Sequence, residues 1–227
     1  MARSLISRMP LAVQVLVNAL GTWWDDWVNQ TVINLVWAAC QATIVLGPPA
    51  TFGMAYVANR LVHGEATGLG GWWQGLRRYL GVSWLWGLAN LVVAVVLYAN
   101  LVMYGSFEGF WGPLLQGAAL SVVALWVVVQ LYAVPFLMEQ TEPKLVQAWR
   151  NGLFTLLAAP GYSLVLIVAV ASILALSFVT LAPLILGGPC LILVIGNQAV
   201  IERLEHFRVR EREAGVSETA NPDSRAT

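Results

Sequence analysis

Charged residues are scarce in this chain of 227 residues, at 11% of the total, against about 25% in soluble domains. No Asp, Glu, Lys or Arg occurs in four long stretches, which are 27–59, 79–107, 109–138 and 151–201. Each stretch is longer than the roughly 20 residues that cross a bilayer as a helix. Together with a hydrophobic fraction of 59%, these gaps exclude a soluble core and predict a membrane protein.

The apolar stretches also lack the alternation of apolar and polar residues that strands of a membrane barrel show. A segment that crosses lipid must satisfy its own backbone N–H and C=O groups, so it is either a helix or part of a closed barrel. With the barrel excluded, we predict an all-α integral membrane protein.

Groups that carry chemistry are few. Only two cysteines occur, Cys40 and Cys190, and both lie in apolar runs, so we interpret them as small buried residues rather than as a disulfide or metal ligands. No phosphate-binding loop and no H-E-x-x-H pattern is present. The formal net charge of zero indicates no nucleic-acid partner. We therefore predict no catalytic residue, no metal and no cofactor, and a protein that is not an enzyme.

The charge-free stretches divide into spans at their glycines and prolines. Spans are predicted at about 28–46, 82–104 and 113–137, followed by a pair within 160–201 that the sequence LAPL at 181–184 divides. The stretch 49–62 is ambiguous, because its fourteen residues extend only about 21 Å as a helix. A hydrocarbon core is about 30 Å thick.

Basic residues set the predicted orientation, because cytoplasmic connections are rich in Lys and Arg. They place 60–80, 138–159 and the C-terminus in the cytoplasm. If 49–62 crosses, the bundle has six transmembrane helices and both termini are cytoplasmic. If it does not, there are five and the N-terminus is outside. Arg3 and Arg8 favour six, in one transmembrane domain over 1–212 with a disordered cytoplasmic tail over 213–227.

The sequence Gly47-Pro48-Pro49 interrupts an apolar run at the start of the ambiguous stretch. Glycine suits a tight turn, and proline suits the first turn of a helix, where its missing N–H is not needed. We interpret this segment as an external hairpin corner. The alternative is a mobile hinge in a broken helix that lines a transport site.

Amphipathic segments flank the predicted spans. Near the N-terminus, polar residues recur every three or four positions from Gln14 to Asn29, which predicts a helix lying in the membrane interface. Two basic connections, 71–80 and 143–157, read as cytoplasmic interfacial helices, here called the elbow helices. Their predicted contacts with headgroups or a partner are Trp72, Trp73, Arg77, Arg78, Lys144, Trp149 and Arg150. The elbows also indicate a weak internal repeat, in which 49–104 echoes 114–180.

Amides are the main polar groups inside the predicted spans. They are Asn34, Gln41, Asn90, Asn100, Gln116, Gln130 and Asn197. Interhelical hydrogen bonds, worth roughly 0.6–2 kcal/mol each, are their ordinary role. If a neutral solute is bound in the membrane, these amides are the groups that would bind it.

Several stretches in order resemble the YesL-like family of bacterial polytopic membrane proteins. They are Asn34-Leu35 in the first span, the turn Gly47-Pro48-Pro49-Ala50, Ala55-Tyr56, WWQGLRRYLG at 72–81, Tyr132-Ala133-Val134-Pro135 and KLVQAWRNGL at 144–153. The similarity covers about residues 20–180. The second proline of the turn and the tryptophan-rich elbow depart from the family's usual pattern.

The resemblance implies a multi-pass protein of the bacterial cell membrane with no established activity, so it supplies no catalytic residue. Family members are often encoded beside carbohydrate ABC transporter permeases. This neighbourhood implies a non-enzymatic accessory or regulatory component of carbohydrate uptake, with permease subunits as partners. The alternative that the residues leave open is an independent carrier or channel for a neutral small solute.

Overall fold

The computed structural model describes residues 9–107 and 109–220, and within them it contains helices and no strand. The helices are α1 (Leu11–Asp25), α2 (Trp27–Gln41), α3 (Gly47–Val62), α4 (Gly68–Arg78), α5 (Leu80–Gly105), α6 (Trp111–Met138), α7 (Leu145–Ala158), α8 (Pro160–Thr180), α9 (Ala182–Leu186) and α10 (Gly188–Ala220). The predicted all-helical class is confirmed.

Three of these helices, α5, α6 and α8, are long and apolar enough to cross a membrane. In the most apolar part of α5, only 6% of the residues are buried within the protein. An apolar surface of this extent is unfavourable in water and matches the hydrocarbon of a bilayer. The predicted spans 82–104 and 113–137 therefore coincide with helices able to cross a membrane, and so does the first part of 160–201.

Helix α3 is the centre of the molecule. It packs against α1, α2, α4, α5, α6 and α10, and residues on every side of it are buried. Phe52, Met54 and Val57 are almost completely removed from solvent. A helix that is buried all round belongs to a protein core. The stretch 49–62, which looked too short to span, thus makes up nearly all of the helix against which the other helices pack.

The first predicted span, 28–46, is longer than the helix found there. Helix α2 ends at Gln41, and a turn over 42–46 leads into α3. Within the turn, Ile44 adopts a left-handed backbone conformation with φ of 59°. A residue in this conformation cannot continue a right-handed helix, and the conformation is also strained for a β-branched residue. Helix α2 therefore ends before the predicted boundary.

The predicted N-terminal helix is present as α1, and it is part of the bundle. Its buried side chains, Ala12, Val15 and Ala19, belong to the core, and α1 packs mainly against α10 and α8. Asp26 separates α1 from α2, and its carboxylate accepts hydrogen bonds from Asn29 and Gln30. These bonds hold the break between the two helices in one conformation.

The sequence LAPL does divide the last apolar stretch, as predicted. Leu181 and Gly187 both have positive φ, and the short helix α9 lies between them. The end of a helix leaves carbonyl groups without partners. Here α2 supplies partners, because Thr31 and Asn34 donate to backbone carbonyls of residues 184–186. Irregular backbone within an apolar region is tolerated where protein groups satisfy it in this way.

Helices α4 and α7 each cross the helix before them at a glycine. A Cβ added at Gly75 of α4 would lie 2.5 Å from the Tyr56 Cβ on α3, and one added at Gly152 of α7 would lie 3.4 Å from the Tyr132 Cβ on α6. Both glycines stand in the sequence Trp-x-x-Gly-Leu, at 72–76 and 149–153. The two halves therefore share a local packing motif as well as a similar order of helices.

Helix α6 meets α10 where Pro135 interrupts its hydrogen bonds. Proline has no N–H, so the Leu131 carbonyl loses its usual partner one turn earlier. Gly196 of α10 packs closely over this carbonyl, since a Cβ there would lie 2.6 Å from the oxygen. The contact brings the next residue of α10, Asn197, close to α3.

The predicted tail, 213–227, overlaps the end of α10 as far as Ala220. Its last residues, 221–227, lie outside the described residues, as do Arg3 and Arg8.

Substituting Gly75 by alanine is expected to destabilise the fold, because the added methyl group collides with Tyr56 on α3. Overpacking of this kind costs about 1–3 kcal/mol. The matched control is Gly70→Ala on the same helix, where a Cβ meets no atom within 4 Å. Alanine there should be neutral or stabilising by up to about 1 kcal/mol. Thermal unfolding of the purified protein in mild detergent checks both, and equal midpoints for the two variants would contradict the close crossing.

Candidate functional site

A polar cavity of about 210 Å³ lies where the C-terminal ends of α3, α4 and α6 meet. It is lined by Tyr56, Asn59, Arg60, His63, Arg78, Tyr79, Met138 and Glu139. Four of these residues lie three or four positions apart on α3 and at its end, so they share one side of that helix. They are Tyr56, Asn59, Arg60 and His63. The cavity brings most of the titratable groups around α3 to one place, and we take it as the candidate site.

Asn59 joins three helices at the base of the cavity. Its Nδ2 donates to Glu139 Oε1 at 2.6 Å and to Asn197 Oδ1 at 3.1 Å. Asn197 is itself almost fully buried and donates to the Leu193 carbonyl in its own helix. Both hydrogens of the Asn59 amide are therefore used, and the Glu139 carboxylate is held in one orientation.

His63 lies one helical turn after Asn59 and reaches the same carboxylate. Its Nδ1 is 2.8 Å from the Asn59 carbonyl oxygen, and its Nε2 is 3.6 Å from Glu139 Oε1. A carbonyl only accepts hydrogen bonds, so Nδ1 carries a proton in this geometry. Protonation of Nε2 then completes an ion pair with Glu139. The cavity therefore holds an imidazole and a carboxylate side by side.

Two arginines make the rim of the cavity positive. Arg60 Nε donates to the Tyr56 hydroxyl at 3.1 Å, and its guanidinium lies 3.2 Å from Glu65. Arg78 lies over the ring of Tyr79, at 5.6 Å from its centre. Burial raises the pKa of Tyr79, so its phenol keeps its proton at neutral pH. The cavity thus has a cationic rim, neutral hydroxyl and amide groups, and one carboxylate inside.

This arrangement can bind polar groups. The arginines and amides offer hydrogen-bond donors, and the carboxylate offers an acceptor. No group of three or more metal-ligating side chains was found among the described residues. The chemistry displayed by these side chains is recognition of polar groups.

The first elbow is only partly exposed. Trp72 was predicted to contact headgroups or a partner, but it is 8% exposed and its Nε1 donates to the Ala50 carbonyl of α3 at 3.2 Å. That prediction is wrong for Trp72, because its ring fills the space beside Gly53. Trp73 and Arg77 do face outward, with the guanidinium stacked over the indole at 4.6 Å.

Helix α7, predicted as the second elbow, is exposed at Lys144 and Gln147 and buries Thr155. Trp149 is half-buried and donates to Gln130 of α6 at 3.3 Å. Lys144 Nζ lies 3.3 Å from Glu142 Oε2. Arg150 is exposed.

The predicted intramembrane amides do not form one site. Asn90 and Gln130 accept hydrogen bonds from indole N–H groups, Gln116 donates to the Leu101 carbonyl, and Asn100 bonds only to its own helix. Asn34 binds the end of α9. Among these amides, only Asn197 bonds to a residue that lines the polar cavity, Asn59. Most of these side chains join helices, which is the ordinary role of amides in membrane bundles.

The turn at Gly47-Pro48-Pro49 is tied on both sides. Gln41 donates to the Gly47 carbonyl and to the Thr51 hydroxyl, and Trp37 also donates to that hydroxyl at 3.0 Å. Pro48 and Pro49 occupy the first turn of α3. These contacts favour the hairpin corner over the mobile hinge.

No functional role was predicted from the sequence for most residues of the cavity, namely Tyr56, Asn59, Arg60, His63, Tyr79, Met138 and Glu139. The available signal was the polar spacing on α3, where Tyr56 and Arg60, and Asn59 and His63, stand four residues apart. No pattern in the sequence indicated that Glu139 would meet them.

Scans against protein-family models, curated proteins and solved structures found no match to this chain.

Substituting Gln130 by leucine is expected to destabilise the fold. Its Oε1 accepts the indole N–H groups of Trp86 and Trp149, and leucine would leave both without a partner. Buried unsatisfied groups cost about 1–3 kcal/mol each. The control is Asn100→Leu, which removes an exposed amide that bonds only within its helix. Thermal unfolding in detergent should show a lower midpoint for Gln130→Leu alone, and equal losses would count against the indole bonds.

Proposed function

We propose that the chain is a six-span helical bundle of the bacterial cell membrane, in which α2, α3, α5, α6, α8 and α10 cross. Trp37 reaches Thr51 and Gln41 reaches Gly47, so α2 and α3 form an antiparallel hairpin. Because six is an even number of crossings, both termini lie on the same side of the membrane. The basic connections lie on that side too, which makes it the cytoplasmic side. In this arrangement α1 enters from the interface, and α4 and α7 are the cytoplasmic elbows.

A single-cysteine variant tests this topology. In a Cys40→Ala background, Cys190 is buried, and a cysteine placed at Ile44 is highly exposed in the turn before α3. With six spans, Ile44→Cys reacts with a membrane-impermeant thiol reagent added to intact cells. Glu65→Cys is the control, and it should react only in inverted vesicles. Labelling of Ile44→Cys from the cytoplasmic side alone would support the five-span alternative.

For the function, we propose a non-enzymatic accessory component of a carbohydrate ABC-type uptake system. The observation that carries this proposal is that one elbow contributes to the polar cavity. Arg78 and Tyr79, at the end of α4, line it together with α3 and Glu139. One charged surface, here called the cytoplasmic face, is therefore formed by the end of α4, the central helix α3 and Glu139 after α6.

The cytoplasmic face has the properties of a docking surface. Its arginines are placed at the rim, where charges guide association and select partners. The crossings at Gly75 and Gly152 hold both elbows against the bundle, so little conformational freedom is lost on docking. The resemblance to the YesL-like family supplies the identity of the proposed partner, a permease subunit.

Co-purification from native membranes in mild detergent tests the docking. We expect ABC permease subunits, identified by mass spectrometry, to accompany the wild-type chain. Arg78→Gln should lower their recovery about tenfold, which corresponds to about 1.4 kcal/mol. Arg208→Gln, an exposed arginine on α10 away from the cavity lining, is the matched control and should leave recovery unchanged. Absence of permease subunits from the wild-type preparation would remove the basis of the proposal.

The second candidate is a carrier for a neutral small solute. The observation in its favour is the pair of buried amides, Asn59 and Asn197, beside a polar cavity. Proteoliposomes that contain the purified chain alone distinguish the two functions. An accessory component should take up no sugar or polyol above protein-free liposomes, whereas saturable uptake that Asn197→Leu abolishes would favour the carrier.

A further inference from the structure

An apolar groove lies between α5 and α6 on the outer surface of the protein, and α7 forms its third wall. Its volume is about 640 Å³, within the roughly 300–1,000 Å³ typical of ligand sites. The three helices contribute equal numbers of lining residues, and all but one are apolar. The exception is Arg150 of α7.

Two tryptophans form the inner wall of the groove, and their polar atoms are turned away from it. Trp126 Nε1 donates to Asn90 at 2.9 Å, and Trp149 Nε1 donates to Gln130 at 3.3 Å. The two rings lie 5.3 Å apart. Because both indole N–H groups have partners in the bundle, the rings present apolar faces to the groove and their positions are set before any ligand binds.

The groove opens toward the bilayer, because α5 and α6 are both helices able to cross a membrane. Hydrocarbon rather than water is the natural occupant of a space with such walls. Acyl chains of lipids are the extended apolar groups that a membrane offers in excess. The side on which the groove opens is set by α5 and α6 alone, so it is the same for five spans or six.

Arg150 is the one charged residue that lines the groove. Its side chain is exposed, and none of the ion pairs among the described residues involves it. The nearby Lys144, by contrast, lies 3.3 Å from Glu142. A guanidinium group binds phosphate oxygens in bidentate fashion, and basic positions between membrane helices bind anionic headgroups.

We propose that the groove binds an anionic phospholipid, with one acyl chain between α5 and α6 and the headgroup phosphate on Arg150. Net negative charge distinguishes this lipid from a zwitterionic one, because a single unpaired guanidinium gains most from a headgroup without its own cation. The site is separate from the cytoplasmic face and does not depend on the proposed accessory role.

Native mass spectrometry of the full chain released from nanodiscs tests the proposal. The nanodiscs contain equal amounts of phosphatidylglycerol and phosphatidylcholine. We expect the wild-type chain to retain phosphatidylglycerol about tenfold over phosphatidylcholine. Arg150→Gln should reduce this ratio to near one, because it removes the charge and keeps the groove. Val96→Trp should fill the groove and lower the retention of both lipids.

The matched control is Arg208→Gln on α10, which removes one exposed arginine outside the groove. It should leave the lipid ratio at the wild-type value. An equal fall in Arg208→Gln and Arg150→Gln would indicate diffuse attraction to surface charge and would overturn the proposal. An unchanged ratio in Arg150→Gln, or no preference in the wild-type chain, would overturn it as well. Thermal midpoints close to wild type confirm that each variant is folded when its lipids are counted.

Discussion

The close crossing of α3 and α4 is the contact on which the rest of the fold depends. Gly53 and Gly75 carry no side chain, so Trp72 and Tyr56 can lie directly against the opposing backbones. This brings the first elbow onto the central helix and directs α5 away from it. Without hydrophobic driving force between helices in lipid, such close approaches at small residues are a main source of association. The position of the polar cavity follows from the same crossing, because α4 ends at Arg78 beside α3.

Polar side chains serve this apolar bundle by satisfying one another. Gln130 accepts two indole N–H groups, Asn90 accepts a third, and α2 donates to the carbonyls at the end of α9. Each bond removes a group that would otherwise be unsatisfied in hydrocarbon. Both indole N–H groups beside the groove between α5 and α6 have such partners, and the side chains that line the groove are apolar except Arg150. Charged and polar side chains gather instead at the polar cavity, where recognition becomes possible.

The two halves of the chain use one packing motif with different consequences. In both, Trp-x-x-Gly-Leu places a glycine against a tyrosine of the preceding helix. The indole of Trp72 then donates to a backbone carbonyl, whereas that of Trp149 donates to a side chain. The first elbow accordingly closes over the core and carries the polar cavity at its end. The second leaves a groove in which Arg150 is the one charged lining residue.

The helical membrane class, the break at LAPL and the positions of α5, α6 and α8 were predictable from the sequence alone. Charge and hydropathy are local properties, so the lack of charge over a span length decides them without any tertiary contact. Only the tertiary structure decided that α3 is the central helix, that Trp72 is buried and that Asn59 meets Asn197 across 138 residues of chain. In a helix that is apolar all round, periodicity does not reveal which face meets which neighbour. The crossing angles and rotations that select those partners arise from packing, and they alone assemble the cavity.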